Sequence, residues 1–235
     1  MICYRSIIAS GSSSDAKNYT ATVNGNGELT SCAFLFVNQR EFNESVIIGN
    51  NVKNCDHMFS GCWNFNSPVR FGKRVNNYSH MFSGCNNFNQ PIQFSNYADA
   101  CQGMFSGCTL FNQPVNIPEK ATSCNYMFSG CLSFNQDVVI PNNVNFCQNM
   151  FASANASFNI YIKGDPWYKN FKGMLNNKNN QQRVNIFANS FDHLSWTNSD
   201  SVIGQYIYWD YSASPQHCLY NTAYNIYIYN NYVGT

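Results

Sequence analysis

Residues 55–77 read CDHMFSGCWNFNSPVRFGKRVNN, and this stretch recurs along the chain with a 23-residue period. The tetrad MFSG, relaxed to MFAS in its last copy, begins at Met58, Met81, Met104, Met127 and Met150. Degenerate copies extend the pattern on both sides, so about six units occupy residues 32–175. Self-similarity with a period of about 20–50 residues is the signature of repeat architectures. The repeat therefore decides the fold.

Each unit switches from one hydrophobic period to another. A spacing of i, i+3, i+4 and i+7 marks one helical face, made in one copy by Cys101, Met104, Phe105 and Cys108. Apolar residues then alternate at the two-residue period of a strand, as in Val69/Phe71, Ile92/Phe94, Val115/Ile117 and Val138/Ile140. One short unit cannot bury its own apolar side, so copies must stack. The sequence predicts an α/β repeat solenoid in which each unit is a short helix followed by a short parallel strand.

The recurring Asn and Pro residues fit the ends of these elements. The Asn of the FN pair recurs at Asn43, Asn66, Asn89, Asn112, Asn135 and Asn159. An amide can satisfy backbone groups of its own turn and of the neighbouring unit, so we expect a buried amide ladder; a simple turn-forming role is compatible with it. A proline precedes three of the strands, where we expect its missing N–H to cost little; these are Pro68, Pro91 and Pro114.

Nine of the 11 cysteines occupy two positions of the repeat. Tyr78 and Ala154 replace cysteine in single units, which argues against obligatory pairing. The two positions within a unit lie about 10.5 Å apart along a helix, beyond the reach of a disulfide. We expect reduced thiols buried as small apolar residues. Disulfides between units and a metal site remain weaker alternatives, the latter because no CxxC pair occurs.

The composition argues against several classes of protein. The net charge is +1 with only 11% charged residues, so we expect no nucleic-acid partner. No apolar run reaches the roughly 18 residues of a membrane span, and the opening MICYRSIIASGSSSD does not resemble a secretory signal. There is no Gly-rich phosphate loop, and His57 and His80, which share a repeat position, lack further ligands. We expect no enzymatic activity, no catalytic residues, no cofactor and no metal site.

The segments outside the repeat each allow two interpretations. Residues 1–31 are rich in Ser, Gly and Asn and form either an N-terminal cap or a docking arm. Residues 176–235 begin with an NNKNNQQ linker and contain two alternating aromatic stretches, which predict a small β-rich cap or an interaction module. Tyrosine is enriched at protein interfaces. The candidate interface residues are Tyr206, Tyr208, Trp209, Tyr211, Tyr227 and Tyr229.

The unit MFSGCxxFNQP, followed by V-x-I-P, resembles the BspA-like leucine-rich repeats, in the variant found in mycoplasma-type lipoproteins and many gut-bacterial surface proteins. The resemblance covers about 145 of the 235 residues, and four nearly perfect units make it specific. It implies a leucine-rich-repeat-like, noncatalytic solenoid that is secreted or lipid-anchored and serves adhesion, host-protein binding or coaggregation. The opening residues show no leader peptide for secretion or lipid anchoring. Either the leader has been trimmed or the protein reaches the outside without one, as a bacteriophage virion protein released by lysis would.

The exposed face of the repeat is the candidate binding surface. One variable position per strand is expected to face solvent, which gives the row Ile47, Arg70, Gln93, Asn116 and Val139; other variable positions, among them Leu110, Leu132 and Ser133, lie beside the predicted helix. A row of side chains at about 5 Å steps suits a flat partner. We expect an extracellular, cell-surface or virion module that binds a host or bacterial surface protein, a glycan or other virion proteins. The alternative is a purely structural module that forms homo-oligomers through its Tyr-rich strands.

Overall fold

The structure, a computed structural model, describes residues 21–23, 30–154, 157–163, 170–171, 173–175, 184–188, 208–209, 218–221 and 226–230. Nine short strands lie in these ranges: β1 (Ala21–Val23), β2 (Val46–Ile48), β3 (Val69–Arg70), β4 (Val138–Ile140), β5 (Phe158–Ile162), β6 (Val184–Ala188), β7 (Tyr208–Trp209), β8 (Cys218–Asn221) and β9 (Ile226–Asn230). They form two sheets, ordered β1-β2-β3 and β4-β5-β6-β9-β8-β7. In the same residue ranges, no helix has the length and apolar character that crossing a membrane requires.

Successive repeat units stack as coils whose backbones pair in parallel. One backbone bridge recurs in every unit, joining Ser31, Asn54, Asn77, Ala100, Ser123, Phe146 and Asn170 in turn. The strands keep the same step, since Val46 lies opposite Val69 and Ile47 opposite Arg70. The chain is therefore a repeat fold with short parallel strands, as the 23-residue period predicts.

The short helix predicted in each unit is replaced by a run of turns. Alternate N–H groups bond three residues back, as Met58 does to Cys55, while those between them bond the next coil, as Phe59 does to Met81. A helix uses every interior N–H for its own hydrogen bonds, so this sharing excludes one. The apolar spacing still identifies the residues that are buried, because the turns bury the same set: Cys101, Met104, Phe105 and Cys108.

The glycine of the MFSG tetrad suits the backbone of these turns. Its φ lies between 73° and 76° in all four copies, in the left-handed region that favours glycine; the copies are Gly61, Gly84, Gly107 and Gly130. Each donates its N–H to a carbonyl of the next coil at 2.7 Å. The tetrad thus ends its turn with a bond between coils.

Strand length follows the residue that precedes each strand. β2 follows Ser45 and β4 follows Asp137, and each has three residues, whereas β3 follows Pro68 and has two. The strands predicted at 92–94 and 115–117 are absent, and the residues before them are Pro91 and Pro114. Proline has no N–H to donate to the neighbouring coil. The expectation that this missing donor costs little stays a prediction.

Two columns of phenylalanine rings form the centre of the core. One contains Phe36, Phe59, Phe82, Phe105, Phe128 and Phe151, and the other Phe42, Phe65, Phe88, Phe111 and Phe134. Successive rings of a column are stacked with centroids 5.4 to 6.1 Å apart. The two rings of one coil lie 4.0 to 4.4 Å apart. Every coil therefore packs its aromatic pair on the pair of the next coil.

The nine repeat cysteines are buried beside these rings in the thiol form. In four coils the thiol of the second position donates a hydrogen bond to a carbonyl of the preceding coil, at 2.9 to 3.1 Å; the donors are Cys62, Cys85, Cys108 and Cys131. Burial raises the pKa of Cys62 to about 11 and that of Cys101 to about 12. The thiols therefore stay protonated at neutral pH, and the prediction that they are buried is confirmed.

The predicted asparagine ladder is present, but it lies at the surface. The side-chain oxygens of Asn43, Asn66, Asn89 and Asn112 each accept the backbone N–H of the next Asn of the column, at 2.7 to 2.9 Å. These side chains are exposed or half-buried, so the expectation of a buried ladder is wrong. The amides satisfy donors at the edge of the stack, where the turns meet solvent.

The C-terminal strands extend the second sheet beyond the repeat. β9 pairs in parallel with β6, β8 runs antiparallel to β9, and β7 runs antiparallel to β8. The edge of β6 is therefore covered by a β-rich segment, and β7 is the last strand of this sheet within the described residues. Whether the segment serves as a cap or as an interaction module remains a prediction. The same holds for residues 1–31, which lie outside the described residues except at 21–23, 30 and 31.

Candidate ligand-binding face

The predicted row of solvent-facing strand positions lies on one face of the stack. Arg70, Gln93, Asn116 and Val139 are exposed, and Ile47 is half-buried. The neighbours Val138 and Ile140 point into the core, so the alternation of burial places Val139 on the outer face. The same alternation holds at 115–117, although no strand forms there. The row begins apolar, becomes cationic and amide-rich in the middle, and ends apolar.

The row continues past the predicted residues through two aromatic side chains. Val139 lies opposite Tyr161 in the register of β4 and β5, and Tyr161 lies opposite Phe187 in that of β5 and β6. The rings of Tyr161 and Phe187 are stacked, with centroids 4.8 Å apart. The sequence analysis missed both because the spacing changes after Val139. Counting on from Val139 by the regular 23-residue step selects Ile162 instead of Tyr161, and then Asn185 instead of Phe187.

A groove opens beside Arg70 where one coil departs from the repeat. Tyr78 replaces the cysteine of the other coils, and its buried ring lies edge-on to Phe71 and Phe94 at 5.1 and 5.0 Å. Its hydroxyl accepts the backbone N–H of Ser95 at 3.1 Å. The phenol is much larger than a thiol and packs between the two segments. The groove above it has a volume of about 1060 Å³ and is lined by 69–74 and 91–97.

The turn after each strand carries a second column of equivalent positions, Asn51, Arg74, Tyr97, Lys120 and Asn143. Lys120 Nζ lies 5.3 Å from the centroid of the Tyr97 ring, within the range of a cation–π contact. Arg74, Tyr97 and Lys120 line a smaller groove of about 500 Å³ together with Lys53, Asn76 and Asp99. The sequence analysis did not consider these turns, although the 23-residue step after each strand identifies the column.

His57 and His80 stack as their shared repeat position predicts. Their ring centroids lie 4.6 Å apart, and His57 Nδ1 is 2.8 Å from an oxygen of Asp56. Burial, followed by the neighbouring His57, lowers the pKa of His80 below its ordinary value. Within the described part of the chain, no three His, Cys, Asp or Glu side chains are grouped so that they could hold a metal ion.

The candidate interface residues lie partly outside the described residues, since Tyr206 and Tyr211 do. Tyr208 and Trp209 form β7, and Tyr227 lies opposite Tyr220 of β8. Tyr229 lies opposite Phe187 in the register of β9 and β6. The row of strand positions that includes Val139 therefore reaches the Tyr-rich strands. Four residues occupy successive positions across four paired strands: Val139, Tyr161, Phe187 and Tyr229.

One family profile matches this chain, and it does so twice. The family is described as "Mycoplasma protein of unknown function, DUF285", and the matches cover residues 26–117 and 96–191. These ranges contain the whole 23-residue repeat and more than half of the chain. No curated protein and no solved structure matches it. The matches span the repeat that organises the coils, and the chain belongs to DUF285.

Proposed function

We propose that this protein is a noncatalytic recognition module that binds a surface protein or a glycan through the outer strand face. The observation that carries the proposal is the row from Ile47 to Val139, exposed from Arg70 onwards and continued in register by Tyr161 and Phe187. A regular row on a stack of coils offers many weak contacts to an extended partner, which is how repeat proteins use their surfaces.

The resemblance of the repeat to BspA-like leucine-rich-repeat surface proteins supports the same function. Proteins of that type act outside the cell in adhesion and host-protein binding, so we place this chain in the extracellular space or at a cell surface. A role as a bacteriophage virion component, such as a decoration, tail or fibre protein, is compatible with the same binding mode. The proposal requires no enzymatic activity and no cofactor.

The binding face can be tested with a triple variant, Arg70→Ala, Gln93→Ala and Asn116→Ala. All three side chains are exposed, so the variant should keep the melting temperature of the parent. The parent and the variant are screened on a glycan array and on a panel of immobilised bacterial and host surface proteins. We expect the parent to bind a defined subset and the variant to lose that subset.

A matched triple variant controls for general surface effects. Leu110→Ala, Leu132→Ala and Ser133→Ala remove three exposed side chains beside the turn run, away from the strand row. This control should keep the binding profile of the parent. A profile that is unchanged in the strand-row variant, or that is lost in the control variant instead, would rule out the strand face as the binding site.

A second candidate function, assembly through the C-terminal strands, is favoured by the position of β7. It is the last strand of the second sheet within the described residues, and an edge strand can pair with another chain. Light scattering on the purified chain, with and without reductant, tests this function. A reductant-insensitive oligomer that becomes monomeric when Ser201–Thr235 is deleted would support it, and a monomeric parent would exclude it.

A further inference from the structure

The turn column Arg74, Tyr97 and Lys120 concentrates positive charge in a protein whose net charge is only +1. Lys53 lines the same groove, so three cations line it together with Tyr97, and Asp99 is the one carboxylate among the described residues that line it. Arg70 and Lys73 add two more cations along the adjoining groove. Within the described part of the chain, Lys163 pairs with Glu119 and His57 Nδ1 contacts Asp56, and neither contact involves these cations.

The groove also presents groups that suit a sugar. Tyr97 is 57% exposed, and an exposed aromatic face can pack against the C–H face of a pyranose ring. Amide side chains that can bond hydroxyl groups are also present: Asn76 lines the same groove, and Gln93 and Asn96 line the adjoining one. The site therefore combines cations, one stacking surface and neutral hydrogen-bonding groups.

The turns that carry these side chains are fixed by their own hydrogen bonds. Lys73 N–H donates to Asn50 Oδ1 at 3.1 Å, and Tyr97 N–H donates to Ser95 Oγ at 3.1 Å. Ser95 Oγ in turn donates to the carbonyl of Val75. A Cβ on Gly72 would collide with the carbonyl of Gly49, so the two neighbouring turns are in backbone contact. The cations therefore project from a preformed surface, which lowers the entropic cost of binding.

We propose that this groove binds an anionic carbohydrate, whose sulfate or carboxylate groups meet Arg74, Lys120 and Lys53 while one sugar ring stacks on Tyr97. The guanidinium of Arg74 can bond such oxygens in a bidentate manner. The assignment rests on the proposed recognition function and names its ligand class. A nucleic acid is disfavoured because the net charge of the chain is only +1, whereas nucleic-acid-binding domains are strongly basic. An acidic peptide would make no use of a single stacking ring flanked by amides.

Titration of the full chain with defined probes tests this assignment. The probes are a sulfated heparin-derived hexasaccharide, a hexagalacturonate that carries carboxylates alone, and neutral maltohexaose. We expect one or both acidic probes to bind and maltohexaose not to bind. Arg74→Gln and Lys120→Gln should each weaken the binding of the acidic probe by about tenfold, since the loss of a charged hydrogen bond has about this effect. Tyr97→Ala should weaken the binding of the acidic probe by a similar factor.

Arg40→Gln is the matched control for charge. Arg40 is exposed and lies over the Trp63 ring at 4.1 Å, outside the groove, so its removal lowers the net charge equally. It should leave the affinity within about twofold of the parent. An equal loss in Arg40→Gln would overturn the assignment, as would binding of maltohexaose or the absence of binding by either acidic probe. An oligothymidylate or a polyglutamate of matched charge that bound as tightly would overturn it as well.

The two proposals fail in distinguishable ways. If the acidic probes do not bind but the array profile is lost in the strand-row variant, the recognition function stands and the carbohydrate assignment is wrong. If the acidic probes bind through Arg74 and Tyr97 while the strand-row variant keeps its array profile, the groove is the site and the strand face is not. Each outcome rests on folded protein, verified by its melting temperature.

Discussion

The side-chain oxygen of Asn66 accepts two donors from the next coil, the backbone N–H of Asn89 at 2.9 Å and Nε2 of Gln90 at 3.2 Å. The same pair of bonds recurs at Asn89 and at Asn112. Asp137 takes the acceptor role for Asn159 at the end of the column. One oxygen per coil thus holds the edges of neighbouring coils together.

Replacement of Asn89 by Ala should lower the free energy of unfolding by about 1 kcal/mol, because the N–H of Asn112 and the amide of Gln113 lose their acceptor at a half-exposed site. Urea denaturation measures the change. Asn89→Asp, which keeps an acceptor oxygen as Asp137 does, should retain most of the stability. An equal loss of stability in Asn89→Ala and Asn89→Asp would show that the acceptor oxygen does not stabilise the fold.

Phe105→Ala should lower the free energy of unfolding by about 3–5 kcal/mol, the usual range for emptying a buried aromatic site. The ring is fully buried and stacks on Phe82, Phe111 and Phe128. The neighbouring Leu110 is 51% exposed, so Leu110→Ala should change the stability by less than about 0.5 kcal/mol. A loss below about 1 kcal/mol in Phe105→Ala would contradict the aromatic core.

The protein should lose stability at alkaline pH. Burial raises the pKa of the thiols from their ordinary 9.0, for Cys62 to about 11 and for Cys101 to about 12. Above pH 9 the thiols of the unfolded chain ionise while the folded ones stay protonated. The free energy of unfolding should therefore be constant below about pH 8 and fall from pH 9 upwards, by about 1.4 kcal/mol per pH unit for each such thiol.

Urea denaturation in reductant between pH 7 and 10.5 checks this dependence. Cys85→Ala is the matched variant because Ala154 occupies the equivalent position in another coil. It should reduce the alkaline slope by the contribution of one thiol. A stability that does not change up to pH 10.5 would show that the thiols reach solvent in the native state.

A residue with a backbone N–H in place of Pro114 should extend the parallel strand pairing into the central coils. Pro114→Ser supplies the N–H that Ser45 has before β2, so backbone amides at 115–117 should exchange with deuterium more slowly. The reciprocal change, Ser45→Pro, should speed exchange at Val46–Ile48. Hydrogen exchange by mass spectrometry measures both. Unchanged exchange in both variants would contradict the role assigned to the prolines.

The buried positions of each coil could be predicted from sequence because a residue in one coil packs against the residue at the same repeat position in the next coil. The phase of the repeat identified the buried Met, Phe and Cys positions, and the FN pair identified the amide ladder. The backbone could not be predicted from the same pattern, because successive turns and a helix bury residues at the same spacing. The difference lies in where alternate N–H groups bond, as Phe59 does to Met81, and that partner belongs to the next coil.

The strand-face row could be predicted only as far as the spacing stays constant. From Ile47 to Val139 each position follows the last at the same 23-residue step. The irregular spacing before Tyr161 and Phe187 hid the aromatic end of the row. The groove could not be predicted either, because the consequence of Tyr78 depends on its contacts with Phe71 and Phe94 in two coils.

The stacking of Phe82 on Phe105, and of Gly84 beneath Gly107, has a consequence for how such a chain can change in length. If the chain is cut at the same position in two successive coils and the outer parts are rejoined, the coils that meet are complementary. Each carries the phenylalanine, glycine and asparagine that contact their equivalents in the neighbouring coil. In-frame loss or duplication of one 23-residue unit therefore leaves every junction intact and shifts only the exposed residues. Recombination within the gene can lengthen, shorten or re-order the outer face without redesigning the interior.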